Sequence, residues 1–121
     1  MTTFTDAPVW HQDGDTVPWM AYEDPHLPAG PDAAQVKVLH PTVFLAYFPP
    51  GFEAPAHAHP YDTVYYVHEG RIRFGDEGWF GPDMVRGVQA GHQYGPEQAD
   101  PDLGVTFLLV SSGPIAIDWA D

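Results

Sequence analysis

The chain of 121 residues contains no cysteine and only four basic residues, Lys37, Arg71, Arg73 and Arg86. The lack of cysteine excludes disulfides, thiolate metal ligands and cysteine nucleophiles. The few cations stand against 17 aspartate and glutamate residues, which gives a formal net charge of −13. We therefore expect no nucleic-acid partner and no polyphosphate substrate such as a sugar nucleotide, because neutralising phosphates requires clustered basic side chains.

Long apolar runs and helical repeats are also missing from the sequence. No stretch is apolar over the length of a bilayer, and the N-terminus lacks the basic and apolar segments of a targeting peptide. We therefore expect a soluble, cytoplasmic protein without membrane contact. No segment of about ten residues keeps the i, i+3, i+4 spacing of an amphipathic helix without an intervening proline or glycine.

Proline and glycine are abundant instead, with 14 and 12 residues, and they divide the chain into short segments. Strand signals recur along the chain, at 36–39, 42–48, 63–67, 71–74, 84–89, 105–110 and 115–119. Short strands at this spacing are typical of an all-β barrel or jelly roll. We assign residues 36–121 to this single domain. Residues 1–35 carry Trp10, Trp19 and Tyr22, which predicts an ordered N-terminal arm packed on the barrel or on a partner subunit.

The residues that carry chemistry begin with His57 and His59, which lie two apart in an extended segment. Alternate residues of a strand point to the same face, so the two imidazoles leave one face about 6.5–7 Å apart at their Cα atoms. Two imidazoles placed in this way can bind one metal ion. Hydrogen-bonded histidines inside the barrel, without a metal, are the alternative interpretation.

The segment from Gly51 to Gly70 resembles the first motif of the cupin family, a glycine, five residues, His-x-His and a closing glycine. His57 and His59 match the two histidines of the motif. Thr63 stands where the family has a glutamate ligand. The resemblance implies a small single-domain RmlC-like cupin, an all-β jelly-roll barrel to which the N-terminal arm is attached.

The second cupin motif can be laid on residues 83–94, where Gly91 matches and Tyr94 replaces the histidine ligand. Together the two motifs cover residues 51–94. The resemblance implies a divalent transition metal, such as iron, zinc, manganese or nickel, held by His57 and His59 with Tyr94 or His92 as third ligand. It also implies a homodimer.

This registration predicts which side chains point into the barrel. They are His57, His59, Thr63, Tyr65 and Val67 of the first motif and Val85, Gly87, Gln89 and Tyr94 of the second. Polar side chains inside an apolar barrel cost free energy unless they are paired, metal-bound or hydrated, so their cluster predicts a site. We expect Tyr94 and His92 to transfer protons. The candidates for binding a small molecule are Gln89, Gly87, Thr63 and Tyr65, with Gly87 leaving room for the ligand.

Two functions agree with these observations. The first is a metal-dependent enzyme that acts on a small oxygen-bearing molecule, a carbonyl or enol compound with some aromatic character, as a dioxygenase or as an isomerase or cyclase. The second is a non-catalytic cupin that binds a small molecule or serves as an accessory subunit, because Thr63 and Tyr94 make the metal motif degenerate. The fold alone does not choose between them.

Overall fold

The computed structural model describes residues 8–120. Within this range the chain forms twelve strands, two 3₁₀ turns and no α-helix. The strands are β1 Met20–Ala21, β2 Gln35–His40, β3 Val43–Phe48, β4 Glu53–Ala54, β5 His57–Ala58, β6 Thr63–Gly70, β7 Ile72–Phe74, β8 Trp79–Phe80, β9 Val85–Val88, β10 Glu97–Ala99, β11 Val105–Ser111 and β12 Asp118–Trp119. The 3₁₀ turns cover Gly14–Thr16 and Gly30–Asp32. None of the described elements is a helix that could cross a membrane.

The strands pair in three antiparallel sheets. The largest has the order β1-β2-β3-β11-β6-β9, the second the order β4-β10-β7-β8, and the smallest joins β12 to β5. Inward side chains of the two larger sheets, among them Tyr65, Val67, Ile72, Phe74 and Phe107, form one hydrophobic cluster. The predicted all-β jelly roll is confirmed, although its described strands form separate sheets and not one continuous hydrogen-bonded ring.

Strand β6 shows how the sequence specifies the inside of the molecule. Along β6 the residues alternate between buried and exposed, with Thr63, Tyr65 and Val67 inside. Its neighbour β11 is paired so that Tyr65 lies opposite Leu109 and Val67 opposite Phe107. Because paired residues point to the same face of a sheet, these apolar side chains enter the core together.

In strand β9 the residues that point inward differ by one position from those that the sequence predicts. Arg86 is buried, whereas Val85 is 60% exposed, and Gly87 and Gln89 are exposed as well. The pairing of β9 with β6 places Arg86 opposite Tyr65, so the inward direction of Tyr65 draws Arg86 inside. A shift of one residue moves every side chain of a strand to the other face. The prediction that Val85, Gly87 and Gln89 point inward is therefore wrong.

The arm and the C-terminal segment lie against the same end of the core. Tyr22 and Leu27 of the arm and Ile115 near the C-terminus pack on the hydrophobic cluster. The indole Nε1 of Trp119 donates a hydrogen bond of 3.0 Å to Asp24 Oδ2. The described part of the arm is therefore ordered and packed on the barrel, and residues 1–7 of the predicted arm and residue 121 of the predicted barrel lie outside the described residues.

Candidate active site

Polar side chains from four segments meet in the interior: His57 and His59, Tyr65, Tyr94 and Glu97, all classed as buried. Backbone pairing brings the segments together. His57 and Tyr94 exchange two backbone hydrogen bonds of 2.9 Å, while β12 places Trp119 opposite His57. On the second sheet, Glu97 lies between Ala54 and Phe74.

His57 and Glu97 form a buried pair. The Nδ1 of His57 lies 2.8 Å from the carbonyl oxygen of Pro55, which can only accept, so Nδ1 carries a hydrogen. The Nε2 of the same ring lies 2.9 Å from Glu97 Oε1, and this contact needs a second proton between the two atoms. Burial by itself lowers the pKa of His57, but the hydrogen bond and the charge of Glu97 outweigh burial and raise this pKa above its ordinary value. The raised pKa of His57 favours the imidazolium form of this ring beside Glu97.

The pKa of His59 is shifted in the opposite direction to that of His57. Its Nδ1 donates to the carbonyl oxygen of Ala116 at 2.6 Å, which leaves Nε2 with a free lone pair. The hydroxyl of Tyr94 donates to this nitrogen at 2.8 Å, and the hydroxyl of Tyr65 lies 3.4 Å from it. Burial, reinforced by the nearby His57, lowers the pKa of His59 despite the hydrogen bond to Ala116. His59 is therefore a neutral acceptor.

The two phenols connect these halves of the cluster. The Tyr65 hydroxyl donates to Glu97 Oε1 at 3.1 Å and is in direct contact with the Tyr94 hydroxyl. Burial, followed by the charge of Glu97, raises the pKa of Tyr65 well above its ordinary value and also raises the pKa of Tyr94. Both phenols therefore keep their protons and serve as hydrogen-bond donors.

A cavity of about 60 Å³ lies beside this cluster. One wall is polar and consists of His57, His59, Tyr65 and Glu97. The remaining lining residues are apolar or aromatic, and they are Tyr22, Leu27, Ala34, Val36, Phe44, Ala46, Phe48, Phe52, Ala54, Phe107, Leu109, Ile115, Ile117 and Trp119. Tyr94 is not among the lining residues and lies behind the polar wall. Among residues 8–120 no lysine or arginine lines the cavity, which favours an uncharged ligand.

The structure brings together only some of the residues that the sequence predicts for the site. His57, His59, Tyr65 and Tyr94 meet, as described above. Thr63 is buried next to them, but its hydroxyl donates to the Tyr61 carbonyl at 3.0 Å. Gly87, Gln89 and His92 are exposed, and His92 belongs to a turn in which its backbone N–H donates to the Gln89 carbonyl at 3.1 Å. The predicted roles of His92 in proton transfer and as third metal ligand require a side chain that points inward, whereas the turn leaves His92 exposed.

Two residues of the cluster and its surroundings, Glu97 and Arg86, were missed by sequence reasoning. The composition of residues 97–102 is typical of an acidic loop, yet Glu97 and Ala99 are both buried in β10 with Gln98 less buried between them. The alternation of Glu97 and Ala99 with the polar Gln98 is a weak strand signal that could have indicated this. The registration on the second cupin motif predicts Val85 and Gly87 inward, which places Arg86 between them on the outward face.

The metal predicted from the resemblance can be tested against these contacts. Both histidines fix Nδ1 to a backbone carbonyl and leave Nε2 to act, as metal-bound histidines commonly do. However, Nε2 of His57 is paired with Glu97 and Nε2 of His59 with Tyr94. Among residues 8–120 no three histidine, cysteine, aspartate or glutamate side chains form a group that could hold an ion. As arranged, the residues do not fit such a metal centre, and the predicted set of His57, His59 and Tyr94 stays a prediction.

The fold of this chain resembles that of solved structures, whereas its sequence matches no known family. No protein-family model matches the chain, and no curated protein sequence matches it. Solved structures do match. The polyketide cyclase RemF from Streptomyces resistomycificus has a TM-score of 0.74 and 15% identity over 93% of this chain and 86% of that chain. An RmlC-like cupin from Ralstonia eutropha has a TM-score of 0.61 and 21% identity over 88% and 76% of the two chains.

This chain has the cupin fold. A third structure with the same fold, an acetylacetone dioxygenase from Acinetobacter johnsonii, has a TM-score of 0.71 and 12% identity over 100% of this chain and 83% of that chain. The predicted RmlC-like cupin barrel is thus confirmed. At these identities the likeness concerns the fold, and the chemistry of this protein has to be argued from its own residues.

Proposed function

We propose that this cupin is an enzyme that transfers protons on a small, uncharged carbonyl or enol compound, as an isomerase or cyclase. The observation that carries the proposal is the buried His57–Glu97 pair, which forms part of the only polar wall described for an otherwise apolar cavity. An acid and a base that lie side by side are what keto–enol interconversion requires.

The chemical step follows from the protonation of the pair. A substrate carbonyl oxygen accepts a hydrogen bond from the imidazolium Nε2–H of His57, which strengthens the acidity of the neighbouring C–H bond. Glu97 takes the proton from that carbon, the C–H electrons form the carbon–carbon double bond, and His57 gives its proton to the oxygen. The enol is released, or its double-bond carbon attacks a second carbonyl carbon of the same substrate, the electrons of that C=O bond move to its oxygen, and this oxygen takes the enol proton to become a hydroxyl. The proton on Glu97 then returns to His57 across the 2.9 Å contact, so the pair is regenerated without loss or gain of protons.

The other polar residues of the wall orient this pair. The Tyr65 hydroxyl holds Glu97 Oε1 at 3.1 Å, and the Pro55 carbonyl fixes the ring of His57 through Nδ1 at 2.8 Å. Such positioning matters because a catalytic group must lie within hydrogen-bond reach of the proton that it transfers. Tyr94 acts one layer behind, where it holds His59 and Tyr65. The predicted role of Tyr94 in proton transfer thus becomes a positioning role in this proposal.

The cavity indicates the class of substrate. One water needs about 10–15 Å³ of cavity volume, so a cavity of about 60 Å³ has room for roughly four to six waters. In the liquid, that number of waters occupies the volume of a molecule of roughly ten non-hydrogen atoms. Aromatic walls that include Phe44, Phe52 and Phe107 favour a flat apolar compound. A polyketide and acetylacetone, which the names of two structural neighbours contain, are both carbonyl compounds.

A second candidate is the metal-dependent oxygenase predicted from the sequence. It is favoured by one observation, the backbone carbonyls that hold Nδ1 of both histidines and orient their Nε2 atoms inward. It would require His57 and His59 to release Glu97 and Tyr94. A divalent transition metal bound in stoichiometric amount to untagged protein, and lost in His57→Ala and His59→Ala, would support this candidate.

The proposed proton transfer can be tested with 1-indanone, an uncharged aromatic ketone whose α-protons exchange with D₂O and are visible by NMR. We expect exchange faster than in buffer, also after dialysis against EDTA, and a loss of about 10²–10⁴-fold in Glu97→Gln. Glu69→Gln, at an exposed carboxylate, is the matched control. Binding of 1-indanone without faster exchange would contradict the proposal and support the non-catalytic binder. Exchange that disappears with EDTA and returns with metal would support the metal-dependent candidate.

A further inference from the structure

Arg86 is a cation in the interior of this acidic protein, with a side chain that is only 8% exposed. It enters from β9 opposite Tyr65. Its Nε and Nη2 donate to the two carboxylate oxygens of Glu77 at 2.8 and 2.6 Å. Glu77 is 40% exposed at its side chain, so the pair runs from the surface toward the polar cluster. A bidentate pair of this kind fixes the plane of the guanidinium.

The guanidinium lies against aromatic rings of the core. Its Cζ atom is 4.0 Å from the ring centroid of Phe74 and 4.4 Å from that of Tyr94. Among the side chains of residues 8–120, its Nη1 is the buried nitrogen or oxygen atom that has no hydrogen-bond partner. Because the electron-rich faces of the rings attract a cation, they take the place of that partner.

The contacts form a sequence from the surface to the cavity. Glu77 holds Arg86, and Arg86 lies on the ring of Tyr94. The Tyr94 hydroxyl holds His59 Nε2 at 2.8 Å and contacts the hydroxyl of Tyr65. His59 and Tyr65 belong to the polar wall of the cavity. Arg86 does not line the cavity, so it influences a ligand through its charge and through the rings it lies on, with Tyr94 at 4.4 Å nearer than Tyr65 at 5.8 Å.

We propose that Arg86 is a positioning residue for the proton-transfer site, acting through Tyr94 and placing a fixed positive charge behind the polar wall. The inference rests on the proposed function for its effect on turnover. Its physical basis is that negative charge develops on the substrate oxygen while the C–H bond breaks and before His57 gives its proton, and a cation in a low-dielectric interior stabilises such charge at a distance. The fixed ring of Tyr94 also limits where the hydroxyls of the wall can point.

The test compares Arg86→Met, Arg86→Lys and Glu77→Gln with Arg73→Met, which removes an exposed arginine of β7. With 1-indanone we expect Arg86→Met to lower kcat by about tenfold, less than loss of a donor in direct contact with substrate, while KM changes little. Arg86→Lys keeps the charge and should recover part of kcat. Arg73→Met should behave as wild type.

A double-mutant cycle separates positioning from a general structural role. If Arg86 acts through Tyr94, then Arg86→Met should lower kcat much less in a Tyr94→Phe background than in wild type. A loss of kcat that is equal in both backgrounds, or that follows only the folded fraction in thermal melts, would overturn the proposal. If Arg86→Met does not fold, Glu77→Gln serves as the test in its place, because Glu77 is partly exposed. An unchanged kcat in Glu77→Gln would also overturn the proposal.

A readout without turnover distinguishes failure of this inference from failure of the proposed function. The probe is 4-nitrophenol, whose bound phenol and phenolate forms have different absorbance spectra. We expect the phenolate fraction of the bound probe to be lower in Arg86→Met than in wild type and unchanged in Arg73→Met. If wild type binds the probe but exchanges no 1-indanone protons, the proposed function fails alone. If the phenolate fraction is equal in wild type and Arg86→Met, the inference about Arg86 fails.

Discussion

His57 Nε2 lies 2.9 Å from Glu97 Oε1, and each side chain is only 3% exposed. The two residues come from different sheets, β5 and β10. A charge buried without a partner is far more costly than a buried pair. The same contact therefore contributes to the stability of this protein and lines its cavity, and the first prediction follows from it.

Removal of Glu97 should destabilise the fold strongly. In Glu97→Ala the imidazolium of His57 and the hydroxyl of Tyr65 lose their common acceptor, and we expect the free energy of unfolding to fall by about 3–5 kcal/mol. Urea denaturation followed by tryptophan fluorescence measures this change. Glu69→Ala, at an exposed site, should change it by less than about 0.5 kcal/mol. Equal effects of the two substitutions would show that the His57–Glu97 pair contributes nothing to stability.

The hydroxyls of Tyr65 and Tyr94 should act as a unit. Tyr65→Phe removes one of the two donors to Glu97 Oε1 and Tyr94→Phe removes the nearer donor to His59 Nε2, and each should cost about 1–3 kcal/mol. Because the two hydroxyls touch, we expect the double variant to lose less than the sum, by at least about 0.5 kcal/mol. Tyr61→Phe, at a ring that is 43% exposed, is the control. Strict additivity in denaturation experiments would contradict a shared network.

Asp100 should make stability depend on pH in the acidic range. Its Oδ1 accepts the backbone N–H groups of Leu103 and Asp102, and Arg71 contacts its Oδ2 at 2.7 Å. These contacts, the backbone hydrogen bonds first, lower the pKa of Asp100 in the folded state. The stabilisation is therefore fully present above the unfolded pKa of about 3.9 and is lost as the pH falls through the lower folded pKa.

The measurement is the difference in unfolding free energy between wild type and Asp100→Asn as a function of pH. We expect a constant difference near neutral pH that shrinks once the pH falls below about 4. Asp102→Asn, whose side chain is exposed, should show no such trend. A difference that grows as the pH falls would mean that the carboxylate is not the stabilised form.

The predicted homodimer has a suitable surface on the outside of the large sheet. Val64, Tyr66, Val85 and Val110 are each between 37% and 60% exposed. The sheet register places Val64 opposite Val110 and Tyr66 opposite Val85. A contiguous apolar face of this kind is typical of an interface. In a chain of net charge −13, we propose a second copy as its partner, because these four side chains carry no charge.

Light scattering coupled to gel filtration should therefore give the mass of a dimer at micromolar concentration. Val110→Glu places a charge in the proposed interface and should give a monomer with unchanged secondary structure. Leu103→Glu, at a loop residue that is 68% exposed, should remain dimeric. A monomeric wild type at all concentrations would rule out this surface as a self-association site.

The local sequence was sufficient for the elements and for part of the site. Frequent proline and glycine, with short apolar stretches between them, indicated an all-β fold because they interrupt every potential helix. The two-residue periodicity of a strand indicated that His57 and His59 share a face and that Tyr65 points inward with Thr63 and Val67. These features depend only on neighbours along the chain.

Only the tertiary structure decided the composition of the polar cluster. Strand β9 has one valine on each face, Val85 on one and Val88 on the other, so its direction depends on pairing with β6, which turns Arg86 in and Gly87 out. Glu97 is inside because β10 is hydrogen-bonded between β4 and β7, far away in sequence. Residue spacing cannot specify such pairings, because a slip of one residue reverses the faces of a strand and the core contacts of the whole fold select the register.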